Sequence, residues 1–196
     1  MGGQATDRPI GWVFFPRMLK ALAPRAHGRS VSTLARHFEV SGVGLHTGAS
    51  VRVVVRPAAT SEGVYFVRSD LGMEQRIAAS LESVTDTRLS TTLGGCGDAS
   101  VRTVEHLLAA LCGAGVSACR VEINGPELPL LDGSAAPWLA ALLAAGVAPL
   151  TDVGASRPTF RLKAPCWVHE GDAWVVALPA EAARCASILP LPQPRA

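Results

Sequence analysis

The sequence predicts an α+β protein, a two-layer sandwich in which a sheet carries paired helices on one face, followed by an incomplete second domain of the same kind. Three observations carry this reading. Short runs in which apolar and polar residues alternate recur between residues 37 and 123, as in Val51-Arg52-Val53 and Cys119-Arg120-Val121-Glu122-Ile123, the period of a half-buried strand. Two stretches, beginning near Thr103 and Ser134, space their apolar residues three and four apart, the period of a helix face. Strand-like runs then resume around a turn at residues 170–172.

Taken in order, residues 37–40 read as a short strand. Residues 41–48 (SGVGLHTG) read as a turn, because three glycines favour positive φ and weaken regular structure. Residues 51–55 form a strand that Pro57 ends. Residues 63–68 (GVYFVR) form a second, and the two are expected to pair as a hairpin across the intervening loop. Residues 85–93, rich in β-branched and hydroxyl side chains, read as a strand that Gly94 and its neighbours break. Thr103 is the expected N-cap of the first helix. Val104, Leu107, Leu108 and Leu111 make its apolar stripe, with Gly113 and Gly115 as the stop. Residues 119–123 follow as a strand, turned by Asn124-Gly125-Pro126. Ser134 is expected to cap the second helix, with Pro137 in its first turn, Trp138, Leu139, Leu142 and Leu143 facing a core, and Gly146 as the stop. Residues 151–158 read as a linker, residues 160–162 and 166–168 as strands, and residues 174–178 as the second arm of a hairpin.

Composition bounds the function. Hydrophobic residues make up 48% of the 196 and charged residues 17%, which is globular rather than disordered. The net charge of +2 is unevenly spread. Residues 1–36 hold six basic side chains (Arg8, Arg17, Lys20, Arg25, Arg29, Arg36) against Asp7 alone. The remainder holds twelve basic and fifteen acidic residues, a net of −3, so nucleic acid is not an expected partner. The first 32 residues, Arg-rich and acid-poor, read as a disordered transit peptide and point to the mitochondrion; without a leader the chain would be cytoplasmic. Residues 33–152 read as the first domain and 157–196 as the start of a second. The apolar run at 135–150 is Ala-rich, contains Pro137, Gly146 and Pro149, and is shorter than the ~20 residues of a membrane span; no transmembrane segment is expected. Five cysteines without a CxxC pair argue against a cysteine zinc site or disulfide framework.

Glu105 and His106 stand side by side in the first turn of the first helix, 100° and 200° round from Val104 at ~100° per residue and so off the apolar stripe. Ala109 and Ala110 below them leave open space. An imidazole there can bind a metal and a neighbouring carboxylate can accept a proton from water; on spacing alone, a solvated pair is the plainer reading. The segment 42–48 fails as a phosphate loop, because its spacing is G-x-G-x-x-x-G with no following Lys-Ser/Thr. His46 within it reads as a polar loop residue, His169-Glu170 as hairpin surface, and Asp132 as a turn residue.

Six segments in register resemble one family: SGVGLHTG (41–48), TDTRLSTTL (85–93), VRTVEHLLAAL (101–111), EINGPELPLLDGSA (122–135), APW (136–138) and EGDAW (170–174). They are similar to the UDP-3-O-acyl-N-acetylglucosamine deacetylases, zinc amidases of the lipid A pathway, over about residues 33–179. The resemblance implies two α+β domains facing each other across the active site. It implies Glu105 as general base, His106 as a Zn(2+) ligand, and Leu89 and Ser90 beside the substrate, UDP-3-O-acyl-N-acetylglucosamine, which would yield acetate and a free amine. Zinc would polarise the acetamide carbonyl and acidify its water. Plant-type members carry organelle leaders, in keeping with the Arg-rich start. The family's second domain supplies a His-x-x-x-Asp helix with the other two zinc ligands, and this sequence has no counterpart to it. The resemblance therefore leaves two readings, an active deacetylase or a catalytically inactive truncated fragment, and a separately encoded C-terminal half as a partner.

Overall fold

The computed structural model describes residues 31–58, 63–72, 75–94, 99–150, 162–170 and 173–180. Residues 1–30 of the leader expected at 1–32, the linker expected at 151–158, most of the strand expected at 160–162 and residues 181–196 lie outside the described residues. In chain order the elements are β1 (Ser32–Leu34), β2 (Phe38–Val43), β3 (Ser50–Pro57), β4 (Val64–Arg68), β5 (Arg76–Ala78), β6 (Val84–Asp86), β7 (Thr92–Gly94), β8 (Ser100–Arg102), α1 (Glu105–Ala114), β9 (Cys119–Ile123), α2 (Ala136–Ala145), β10 (Val147–Pro149), β11 (Cys166–Glu170) and β12 (Ala173–Ala177). β1 begins at Ser32, the last residue assigned to the leader from sequence, and pairs antiparallel with β10.

The main sheet has five strands in the order β2-β3-β9-β4-β5, and β6-β7-β8 form a second sheet. The alternation read from sequence sets the faces. Val53, Val55, Phe66, Val121 and Ile123 are fully buried, and they form one cluster with Leu107 and Leu111 of α1 and Trp138 and Leu142 of α2. Each such side chain contributes about 1.5–3 kcal/mol on burial. α1 and α2 pack against each other. The opposite face of the sheet is charged: Arg52 pairs with Glu39, and Arg56 and Arg120 both pair with Glu122. The architecture is α+β, with paired helices over one sheet face, as the sequence predicts.

Several local expectations are corrected. β3 and β4 do not pair; β9 lies between them, antiparallel to β3 and parallel to β4. Pro57 and Val64 are both in register with Cys119, and the Cys119 N–H donates to the Gly63 carbonyl at 3.1 Å. The six residues between β3 and β4 can span the about 10 Å across one intervening strand, and β9 fills that gap with Cys119, Val121 and Ile123, all fully buried. The 41–48 segment is not all turn, since β2 runs to Val43. Only Gly48 of its glycines has positive φ, at 64°; a Cβ at Gly42 would stand 2.8 Å from the Pro129 Cβ, so closeness to that proline is what requires glycine there. Residues 85–93 form a β6–β7 hairpin rather than one strand, with Leu89 at φ 65° in the bend.

The helices depart from expectation at their caps. Thr103 does not cap α1: the N-cap position is Val104, without a side-chain cap bond, and the Thr103 hydroxyl points to Glu127 instead. Gly115 takes the left-handed stop at φ 78°, while Gly113 lies inside the helix. Ala110 is buried against the core, so the open space foreseen below Glu105 and His106 is at Ala109 alone. At α2 the N-cap position is Ala135, but the Ser134 hydroxyl does accept the Ala136 N–H at 3.1 Å. Leu143 is 47% exposed and does not face the core. β11 and β12 form an antiparallel hairpin with Trp167 opposite Val176. No helix among the described residues is long and apolar enough to cross a membrane. Cys112, Cys119 and Cys166 are free thiols, and burial pushes the Cys119 thiol up to about 12, a packing role.

Candidate functional site

The first turn of α1 meets the β6–β7 hairpin. β7 and β8 pair through Thr92 and Arg102, and the Thr103 N–H donates to the Thr91 carbonyl at 3.0 Å, carrying the contact one residue further toward α1. The Thr91 N–H in turn donates to the Glu105 carboxylate. Leu89 and Ser90 directly precede Thr91 in the same hairpin. Leu89 is 90% exposed at the hairpin tip; Ser90 is buried, with its hydroxyl lacking a partner among the described residues. Burial pushes the Glu105 carboxyl upward, but hydrogen bonds from the Thr91 N–H, its own N–H and the Thr91 hydroxyl, with the charge of His106, outweigh it. Glu105 is thus held below the ordinary carboxylate range and ionised at neutral pH, the state a proton acceptor needs.

His106 is half-buried. Asp132 approaches it from the segment leading to α2: hydrogen bonds from the Ser134 N–H and hydroxyl, with a smaller contribution from His106, hold the Asp132 carboxyl below its usual range. Asp132 closes a turn onto Ser134 through two bonds of 2.9 Å, the role its sequence position suggests.

Behind this surface lies Glu127, fully buried. It accepts the His46 N–H at 3.0 Å, the Thr47 N–H and hydroxyl at 2.8 Å each, and the Thr103 hydroxyl at 2.9 Å, and its Oε1 lies 2.8 Å from His46 Nδ1. Burial alone would raise this carboxyl; the donors of His46 and Thr47 win and hold it at about 2. Thr103 sits at φ 59°, an unfavourable region for a β-branched residue that costs on the order of 1–3 kcal/mol. Its hydroxyl and N–H bonds fix it there.

Residues 31–194 match the family described as LpxC: UDP-3-O-acyl N-acetylglycosamine deacetylase. The chain belongs to this deacetylase family. It is 47% identical over 152 residues to the UDP-3-O-acyl-N-acetylglucosamine deacetylase of a Nostoc species, covering 78% of this chain and 54% of the relative. It is 49% identical over 148 residues to that of Thermosynechococcus vestitus, covering 76% and 50%. To the Myxococcus xanthus protein of the same name it is 51% identical over 115 residues, covering 59% and 36%. The chain spans about half the length of the first two of these relatives.

The family's zinc can be tested against the residues present. A catalytic zinc takes three protein ligands, and among the described residues no group of three His, Cys, Asp or Glu side chains could hold a metal. His106 offers one ligand, so the donor set here does not by itself fit a zinc site. Two cavities are lined by neither Glu105 nor His106: one of about 240 Å³ on the charged sheet face, lined by Glu39, Arg52 and Glu122 among others, and one of about 840 Å³ between the β1–β2 connection and α2. Sequence reasoning missed Glu127 and the part played by His46 and Thr103. The available signal was an acid set between Pro126 and Leu128-Pro129 in an apolar run, because an acid buried in such a run needs partners.

Proposed function

We propose that this chain supplies the general base and one metal ligand for zinc-dependent hydrolysis of the acetamide of UDP-3-O-acyl-N-acetylglucosamine in lipid A biosynthesis. The observation that carries the reading is the Thr91 N–H held on the Glu105 carboxylate, which keeps an ionised base at the start of the helix that also carries His106. Glu105 takes the proton of the water that attacks the acetamide, and the products are acetate and a free amine. His106 is one zinc ligand, and Leu89 and Ser90 border the substrate. The remaining ligands would come from a second, facing domain. The first 32 residues direct the chain to the mitochondrion.

A second reading, a catalytically inactive fragment, is favoured by the lack of a three-ligand group among the described residues. One experiment separates them. Zinc content and acetate release from UDP-3-O-acyl-N-acetylglucosamine are measured for the purified chain, alone and mixed with the C-terminal half of the Nostoc relative. The proposal expects zinc uptake and acetate release in the mixture, both abolished by a chelator. An inert mixture, alongside an active one made from the two halves of the Nostoc protein, overturns it in favour of the fragment.

A further inference from the structure

Glu127 joins three segments far apart in sequence. Its Oε2 takes the Thr47 N–H and hydroxyl, and its Oε1 faces His46 Nδ1 and the Thr103 hydroxyl. The glycine at 44 leaves room for this, since a Cβ there would stand 2.6 Å from Oε2. An ionised carboxylate only accepts hydrogen bonds, so at 2.8 Å the His46 Nδ1 must carry the proton. A neutral imidazole has one N–H, which leaves Nε2 bare. The ring is 20% exposed, so it is not sealed in the core.

We propose that Glu127 is a positioning residue: it fixes His46 as the Nδ1–H tautomer with a bare, accepting Nε2, and it ties the His46 loop to the lead-in of α1 through Thr103. Resting on the deacetylase reading, the bare Nε2 accepts a hydrogen bond from a hydroxyl or amide N–H of the sugar nucleotide. The tautomer itself does not depend on that reading.

The near-isosteric Glu127→Gln change separates positioning from bulk. Two donors beside the carboxylate, the backbone N–H groups of His46 and Thr47, cannot reverse, and the Thr47 N–H sits on Oε2. The amide oxygen therefore takes the Oε2 place and the NH₂ group the Oε1 place. There it faces His46 Nδ1 and the Thr103 hydroxyl, both of which can become acceptors, while the shared His46 N–H gives up its 3.0 Å branch to Oε1 and keeps the 3.1 Å branch to the oxygen at the Oε2 place. The imidazole then switches to the Nε2–H form, which turns the exposed edge from acceptor to donor.

The test is ¹⁵N NMR of histidine-labelled chain at pH 8, with His46 assigned by loss of its signals in His46→Gln. The expected results are a majority Nδ1–H form in the wild type, a majority Nε2–H form in Glu127→Gln, and an unchanged Nδ1–H form in Thr103→Val with a displaced Thr91 amide resonance. A wild-type Nε2–H majority, or an unswitched tautomer in folded Glu127→Gln, overturns the inference. If Glu127→Gln does not fold, the wild-type tautomer and the Thr103→Val spectrum decide. Acetate release is a separate readout: an unswitched tautomer leaves it untouched, and its failure leaves the tautomer result standing.

Discussion

Gly44→Ala tests the packing of the His46 loop on Glu127. The new Cβ would stand 2.6 Å from both Glu127 Oε2 and Thr47 Oγ1, and 3.0 Å from Glu127 Cδ. Relief to an ordinary contact of ~3.4 Å or more needs a shift of roughly 0.8 Å. A shift of that size stretches the 2.8 Å bonds between Thr47 and Oε2 to about 3.6 Å, beyond hydrogen-bonding range. Overpacking costs about 1–3 kcal/mol, and each weakened bond to a charged group about 1.5–3 kcal/mol, less what water restores. The net loss is on the order of 3 kcal/mol. Two other glycines calibrate it. Gly48 has φ 64° and open space around it, so Gly48→Ala costs only the about 1 kcal/mol of a strained backbone. Gly113 lies within α1 with nothing near it, so Gly113→Ala gains about 0.5–1 kcal/mol. Urea unfolding followed by circular dichroism and by fluorescence of the buried Trp138 measures all three. A Gly44→Ala loss no larger than that of Gly48→Ala refutes the argument.

Two further predictions concern the buried charge and the Arg-rich residues 1–36. The Glu127 carboxyl is held at about 2 against 4.5 for the free group; since the folded value is depressed, its stabilisation is present above pH ~4.5 and is lost as pH falls toward 2. At about 1.4 kcal/mol per unit the loss is on the order of 3 kcal/mol, and Glu127→Gln flattens the dependence in that window when unfolding is measured at 0.15 M salt or above, which screens exposed pairs such as Asp86–Arg88. A fusion of residues 1–36 to a fluorescent protein goes to mitochondria, and replacing Arg8, Arg17, Arg25 and Arg29 by glutamine leaves it in the cytosol; imaging of both fusions decides.

What the sequence shows depends on how far a signal reaches. The alternation at 119–123 and the apolar stripe from Val104 to Leu111 are local consequences of backbone period, and both stand in the structure as read. The place of β9 between β3 and β4 is set by pairing across more than 50 residues, and nothing in the loop at 58–63 announces it. Thr103 has the composition of an N-cap, yet its hydroxyl goes to a carboxylate 24 residues away. Glu127 takes its other donors from 80 and 81 residues away, so no spacing rule could assign them. Glu105 and His106 were legible as neighbours on a helix, but their meaning came from the resemblance rather than the spacing. Their contact with Thr91 is a fact of tertiary structure.

In the proposed function Glu105 moves a proton while His106 holds metal, and paired variants separate those jobs in the mixture with the C-terminal half of the Nostoc relative. The measurement is acetate release together with bound zinc for Glu105→Gln and His106→Gln. The account predicts that Glu105→Gln lowers turnover by roughly 10²–10⁴-fold with zinc content unchanged, and that His106→Gln loses zinc as well. A Glu105→Gln assembly turning over within about tenfold of the unaltered one, or a His106→Gln assembly with full zinc content, contradicts it.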